Sequence, residues 1–250
     1  MTLFFLTNQT RQFTGSRLDD GYSVHTFKLL TSKSACEKNK SEELLLNILP
    51  ESTAIELKEK GFSSPRSYEN VTVLFTDFVN FTKISERMTP TELVAELDYC
   101  FKAMDEIIYK NNLEKIKTIG DSYMAVAGCP EDDPEHATHA VTAALEIRDL
   151  LEKWNHYQES QNKAPWGVRI GLHSGPIISG VVGKKKFAFD IWGDTVNVAS
   201  RMESSSENKK VNISVNTYEM VKTHFKGEAR GMIKAKNKGE MEMYFVDWPD

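Results

Sequence analysis

The sequence predicts an α+β fold whose core runs in the ferredoxin-like order β-α-β-β-α-β over residues 71 to 182, with additional strands and helices on its C-terminal side. Three observations carry this. Strand-like apolar runs alternate with segments of helical period, the dipeptide Gly120-Asp121 joins two of those runs through a tight turn, and such a hairpin demands antiparallel pairing. A doubly wound parallel sheet does not fit that pairing. With 250 residues, 40% of them hydrophobic, the chain can bury one sizeable core and still carry an extension.

Residues 1–40 show no sustained period and read as an irregular segment. Residues 41–67 read as a helical coupling or dimerisation segment with a linker, and residues 68–250 as the main domain. From Ser41 the pattern is helical, with Leu45, Ile48 and Leu49 on one face and Pro50 as the interruption. A second short helix spans Glu51 to Lys60 and stops at Gly61. This leucine-rich stretch either pairs with its own copy or packs on the domain, and it is too short to choose between them.

Val71 to Thr76 is β-branched and aromatic, as a buried strand requires, and places Asp77 at its exit. Thr89-Pro90-Thr91-Glu92 is a capping box that opens a helix with Leu93, Leu97, Phe101, Met104 and Ile108 on its buried face. Leu113 to Ile119 and Ser122 to Ala127 form the hairpin, with Asp121 at its tip. Asp133-Pro134 opens a long helix carrying Ala137, Ala140, Val141, Ala144, Leu145, Leu151 and Trp154. Two strands follow, Gly167 to His173 and Ile177 to Val182. Asp194 is the expected N-cap of a helix reaching about Ser204; a strand from Val211 to Val215, a helix from Thr217 to Phe225 and a final strand pair ending near Val246 complete the chain.

A net charge of −5, from 36 acidic against 31 basic side chains, argues against a protein that coats polyanions, so no nucleic-acid partner is expected. Cys36, Cys100 and Cys129 are odd in number and lack C-x-x-C spacing, which disfavours a disulfide framework or a structural zinc and fits a reducing cytosol. No stretch approaches the roughly 20 apolar residues of a membrane span. The expectation is a cytoplasmic chain without membrane contact of its own, with room for an upstream sensor or membrane region in a longer parent.

Asp77 and Asp121 stand at the ends of strands expected to be neighbours, and paired carboxylates there make a hard oxygen site suited to Mg²⁺ or Mn²⁺. By spacing alone they are equally well explained as turn aspartates. Lys184-Lys185-Lys186 and Lys209-Lys210 read as solvated loops, and His173 as structural.

Three longer blocks change that balance. Leu74-Phe75-Thr76-Asp77-Phe78-Val79-Asn80-Phe81-Thr82, Lys115-Ile116-Lys117-Thr118-Ile119-Gly120-Asp121-Ser122-Tyr123 and Phe189 through Arg201 resemble the class III nucleotide cyclases, over about residues 68 to 247. The resemblance implies that Asp77, Asp121 and the backbone carbonyl of Phe78 bind two divalent metal ions that bridge a nucleoside triphosphate. It implies that Lys117 and Asp190 read the purine, that Asn197 orients the ribose, and that Arg201 stabilises charge on the α-phosphate, a role of order 3 kcal/mol. Lys236 matches the triphosphate lysine and Arg169 an arginine near the phosphates. Asn237 and Phe189 depart from the glycine and tyrosine common at their positions.

Adenine offers an N6 donor beside the N1 acceptor, so a lysine with an aspartate complements it, whereas guanine reverses the pattern. The expected activity is therefore conversion of ATP to 3′,5′-cyclic AMP and pyrophosphate. A guanylate cyclase and a catalytically silent nucleotide-binding module are the competing readings. Both half-sites are present on one chain, which implies a homodimer with two shared sites and no second gene product.

Overall fold

A computed structural model describes residues 44–183, 186–236 and 238–249. The irregular segment expected over residues 1–40, and with it Cys36, lies outside the described residues, as do Lys184, Lys185 and Asn237. The chain divides into two compact units, Met1–Ala54 and Ile55–Asp250. In the first, Leu44 to Leu46 make one helical turn and Glu51 opens α1 (Glu51–Lys60), which continues into the second. The turn ends before Ile48, so Ile48 is 63% exposed while Leu49 is buried, and the single apolar face expected for them does not form. Gly61, at φ 77°, terminates α1 as expected.

The second unit is built on one mixed sheet. Its elements are β1 (Arg66–Val79), α2 (Phe81–Ser85), α3 (Pro90–Lys110), β2 (Leu113–Ile119), β3 (Ser122–Ala127), α4 (His136–Ser160), β4 (Gly167–Val182), β5 (Ala188–Trp192), α5 (Asp194–Ser204), β6 (Lys210–Ser214), α6 (Val215–Val221), β7 (Lys226–Ala235) and β8 (Gly239–Asp247). The strand order is β2-β3-β1-β4-β6-β8-β7, with β5 paired to β4 off that path. Among the described residues only β4 and β6 run parallel; the other pairs are antiparallel. The β-α-β-β-α-β core is thus present in the order expected.

Two strands differ from expectation. β1 extends on both sides of the apolar run because β4 pairs with it from Arg66 to Val79, so Asp77 lies inside the ladder rather than at its exit. The two strands anticipated at 167–173 and 177–182 are one, β4. Pro176 interrupts neither, because the missing amide falls where β1 bulges between Tyr68 and Val71.

The two faces of the sheet are sorted by alternation. Leu74 and Phe78 of β1, Tyr123, Ala125 and Ala127 of β3, and Val168, Ile170 and Leu172 of β4 pack with α3 and α4 into the main core. Helix α3 is held at its start by the expected capping box, with the Glu92 amide donating to Thr89 Oγ1 at 3.3 Å and the Thr89 amide to Glu92 Oε2 at 2.9 Å. Helix α4 begins two residues later than Asp133-Pro134 suggests; Asp133 instead accepts from the Glu135 amide and pairs with His139. Cys100 and Cys129 are free, buried thiols, each pushed up to about 12 by burial. Among the described residues no helix is long and apolar enough to cross a membrane.

The opposite face is partly covered by α5. Gly171 on β4 makes this possible: a Cβ there would sit 1.8 Å from the Glu203 amide nitrogen. α5 starts at Asp194 with Gly193 at the cap, so Asp194 does not cap the helix; it pairs with Lys238 on the β7–β8 turn.

Glu114 of β2 also points away from the main core, opposite Val126, and has no partner among the described residues. Burial raises its carboxyl from 4.5 to about 7. The folded state therefore keeps a proton that the unfolded chain releases, and stability falls as pH rises between those values. Glu114→Gln should raise the melting temperature at pH 8 by about 2–4 °C and leave it unchanged at pH 4.5. Equal melting curves for the two proteins at pH 8 would disprove this.

Candidate active site

The position of Asp77 follows from that of Phe78. Phe78 is 2% exposed in the core between the sheet and α3, where it meets Phe101, so its neighbour must project from the other face. Arg169 is the direct cross-strand partner of Asp77 on β4 and shares that face. Its guanidinium donates to Asp77 Oδ2 at 2.6 Å, while Ser122 Oγ donates to Asp77 Oδ1 at 2.6 Å. The carboxylate is held from both sides.

Asp121 sits in the two-residue turn between Ile119 and Ser122, where Gly120 takes φ 65° without a Cβ penalty. Burial first, and the charge of Asp77 second, raise the Asp121 carboxyl, against support from its own amide and that of Phe78. Two carboxylates, one with its ionisation opposed, and a carbonyl on the adjoining strand form an oxygen-only donor set that a divalent cation would relieve. Among the described residues no group of three or more His, Cys, Asp and Glu is placed to hold a metal.

Lys117 reaches its position through an irregularity. Lys115 points to the helix side, donating to Asp105 of α3 at 2.8 Å. A regular strand would send Lys117 the same way, two residues on. The β2 bulge between Lys115 and Lys117 flips the alternation, and Lys117 Nζ donates to Asp190 Oδ2 of β5 at 2.5 Å. Asp190 Oδ1 accepts from the Ile191 amide at 2.9 Å, which orients the pair.

On α5, Val198, Ala199, Met202 and Glu203 are buried, leaving Asn197 exposed and Arg201 half-buried on a common side. Met202 and Val198 pack against Ala235 and Met243 of β7 and β8, and the Lys238–Asp194 pair ties the turn containing Lys236 to the start of the helix. Asn197, Arg201 and Lys236 have no side-chain partner among the described residues, so their polar groups are available to a ligand. Arg169 is different: it is already bound by Asp77 and, through Nε, by Glu203 Oε1 at 3.1 Å. Arg169, expected near the phosphates, thus stands beside the Asp77 carboxylate.

Ser122 and Glu203 were not among the sequence-derived site residues. Glu203 carried a usable signal, since it falls at i+4 spacing on the buried stripe Thr195, Ala199, Glu203, where an acid needs a partner. Burial is the main force pushing its carboxyl up to about 7, with Asp77 adding to it and Arg169 opposing. His173 is buried, bonded through Nδ1 to Ser214 Oγ at 2.7 Å, and held down at about 4 by burial, in agreement with a structural role. Lys209 pairs with Glu152 on the surface. A cavity of about 720 Å³ opens between α2, α3 and the α4–β4 connection, lined in part by Lys83, Arg87, Glu96, Lys163 and Trp166. None of the expected site residues lines it.

Residues 63–247 match the family described as the adenylate and guanylate cyclase catalytic domain. The chain belongs to this family. It is 39% identical over 215 residues to an adenylate cyclase of Mycobacterium tuberculosis, covering 84% of this chain and 47% of that protein. It is 36% identical over 214 residues to the receptor-type guanylate cyclase gcy-13 of Caenorhabditis elegans, covering 84% of this chain and 21% of that one. The guanylate cyclase domain of RhGC from Catenaria anguillulae, solved in complex with GTP, superimposes with a TM-score of 0.70 at 38% identity, over 74% of this chain and 100% of that domain. The chain thus spans half or less of the curated relatives it matches. Cyclases of both nucleotide classes are among its relatives, so family membership alone leaves the base open.

Proposed function

We propose that this cyclase domain is an adenylate cyclase, forming 3′,5′-cyclic AMP and pyrophosphate from ATP at sites shared across a homodimer. The observation that carries the choice of base is the Lys117–Asp190 pair. A cationic donor and an anionic acceptor side by side match the N1 acceptor and N6 donor of adenine and mismatch guanine at both atoms.

Asp77, Asp121 and the Phe78 carbonyl would hold two Mg²⁺ or Mn²⁺ ions, which when bound supply charge stabilisation and an acidified ribose 3′-hydroxyl. Asn197 would orient the ribose, Arg201 would meet charge growing on the α-phosphate oxygens as the 3′-oxygen attacks, and Lys236 would bind the phosphates that leave as pyrophosphate. Arg169 and Ser122 keep the Asp77 carboxylate in place.

A second copy completes the site in this reading. Ile119 and Trp192, close in sequence to Asp121 and Asp190, are 53% and 41% exposed, apolar surface that a partner subunit would cover.

Purified protein incubated with Mn²⁺ and either ATP or GTP, with products resolved by chromatography, tests the proposal. ATP should be preferred by about tenfold or more in kcat/KM. A preference for GTP would replace it with the guanylate reading, and no cyclic product from either nucleotide would leave a silent binding module.

A further inference from the structure

Arg169 presents a difficulty for the site just described. It is a permanent cation whose guanidinium lies 2.6 Å from Asp77 Oδ2, and a cation bonded to a metal-ligating carboxylate opposes the metal. Its presence needs a compensating charge. Glu203 is placed to supply it: the side chain is buried, its Oε1 is 3.1 Å from Arg169 Nε, and the guanidinium is thereby shared between two carboxylates.

The placement of Glu203 is enforced by the backbone. Gly171 lies two residues along β4 from Arg169, and its missing Cβ lets the Glu203 amide approach where any side chain would collide. α5 is therefore seated directly on β4, with the Glu203 carboxylate opposite the guanidinium.

We propose that Glu203 is a positioning residue for metal binding: it neutralises Arg169, so that Arg169 can orient Asp77 without cancelling the negative charge the metal needs. The metal carboxylate thus gains a fixed direction from one neutral ion pair behind it, as ligands in metal sites gain from their outer partners. The proposal rests on the reading of Asp77 as a metal ligand.

The test is direct Mn²⁺ binding at pH 8, where Glu203 is ionised, read from the electron paramagnetic resonance signal of free Mn²⁺, on the full chain with 3′-deoxy-ATP present to prevent turnover. Glu203→Gln keeps the shape and one acceptor but removes the charge, and should weaken Mn²⁺ binding by about 10- to 100-fold. At saturating Mn²⁺ its KM for ATP should stay within about twofold of the parent protein, because it touches no substrate atom. Adding Arg169→Gln to Glu203→Gln removes the cation as well and should restore Mn²⁺ affinity to within about threefold, a recovery that a merely structural glutamate would not give. Unchanged Mn²⁺ affinity in Glu203→Gln, or a double variant no better than the single one, would overturn the proposal. If Glu203→Gln fails to fold, the double variant carries the decision, and near-parental Mn²⁺ affinity is then required of it. Asp77→Asn separates this from the underlying reading: if it binds Mn²⁺ normally, Asp77 is no ligand and that reading fails first.

Discussion

Replacing Asp77 or Asp121 by alanine should reduce turnover by on the order of 10³-fold or more while the protein still folds. The size follows from the charge removed. A divalent ion at a phosphoryl centre contributes several kcal/mol to the transition state, and each 1.36 kcal/mol is tenfold in rate. The fold is spared for a structural reason: Asp77 projects from the face opposite the main core, and Asp121 occupies a hairpin tip. Asp121→Ala also removes a carboxylate whose ionisation burial and the nearby Asp77 charge oppose, so its melting temperature should hold or rise. Asp77→Ala leaves Arg169 with Glu203 alone, still a paired cation. Circular dichroism with a Mn²⁺-dependent assay checks both, and a variant that keeps more than a tenth of parental turnover would remove its residue from the metal site.

The second large effect is recovery rather than loss. Asp77→Ala and Asn197→Ala chains should each be nearly inactive alone, yet regain about a quarter of parental activity when co-refolded in equal amounts. Random pairing puts half the dimers in mixed form. In the shared-site reading each mixed dimer has one site with both defects and one with neither, because the carboxylates of one subunit would face α5 of the other. Mixed dimers that form, as shown by differential tagging, yet remain inactive would rule out shared sites.

Much of the architecture was legible in the chain because local physics and the final fold agree. The capping box at Thr89, the buried stripe of α3, the Gly120-Asp121 hairpin and the strand-helix order all depend on neighbours within a few residues. The misreadings share a cause as well. β4 reads in the sequence as two strands, Gly167 to His173 and Ile177 to Val182, because the bulge that accommodates Pro176 lies on another strand about a hundred residues earlier. Asp194 looked like a cap until the β7–β8 turn supplied Lys238 as its partner.

The functional residues divide along the same line. By itself the sequence determined which chemical groups are available: the two carboxylates, the lysine-aspartate pair, the asparagine and arginine four residues apart, and the lysine of the last hairpin, in blocks that resemble one family. Only the tertiary structure decided where those groups point. A one-residue bulge turns Lys117 from the helix side to Asp190, since side chains in a strand alternate and a single insertion reverses them. Cross-strand register sets Arg169 beside Asp77, and the bare Cα of Gly171 lets Glu203 close the pair. These contacts join residues 34 to 92 positions apart, a separation over which sequence pattern carries no geometry and packing alone supplies it.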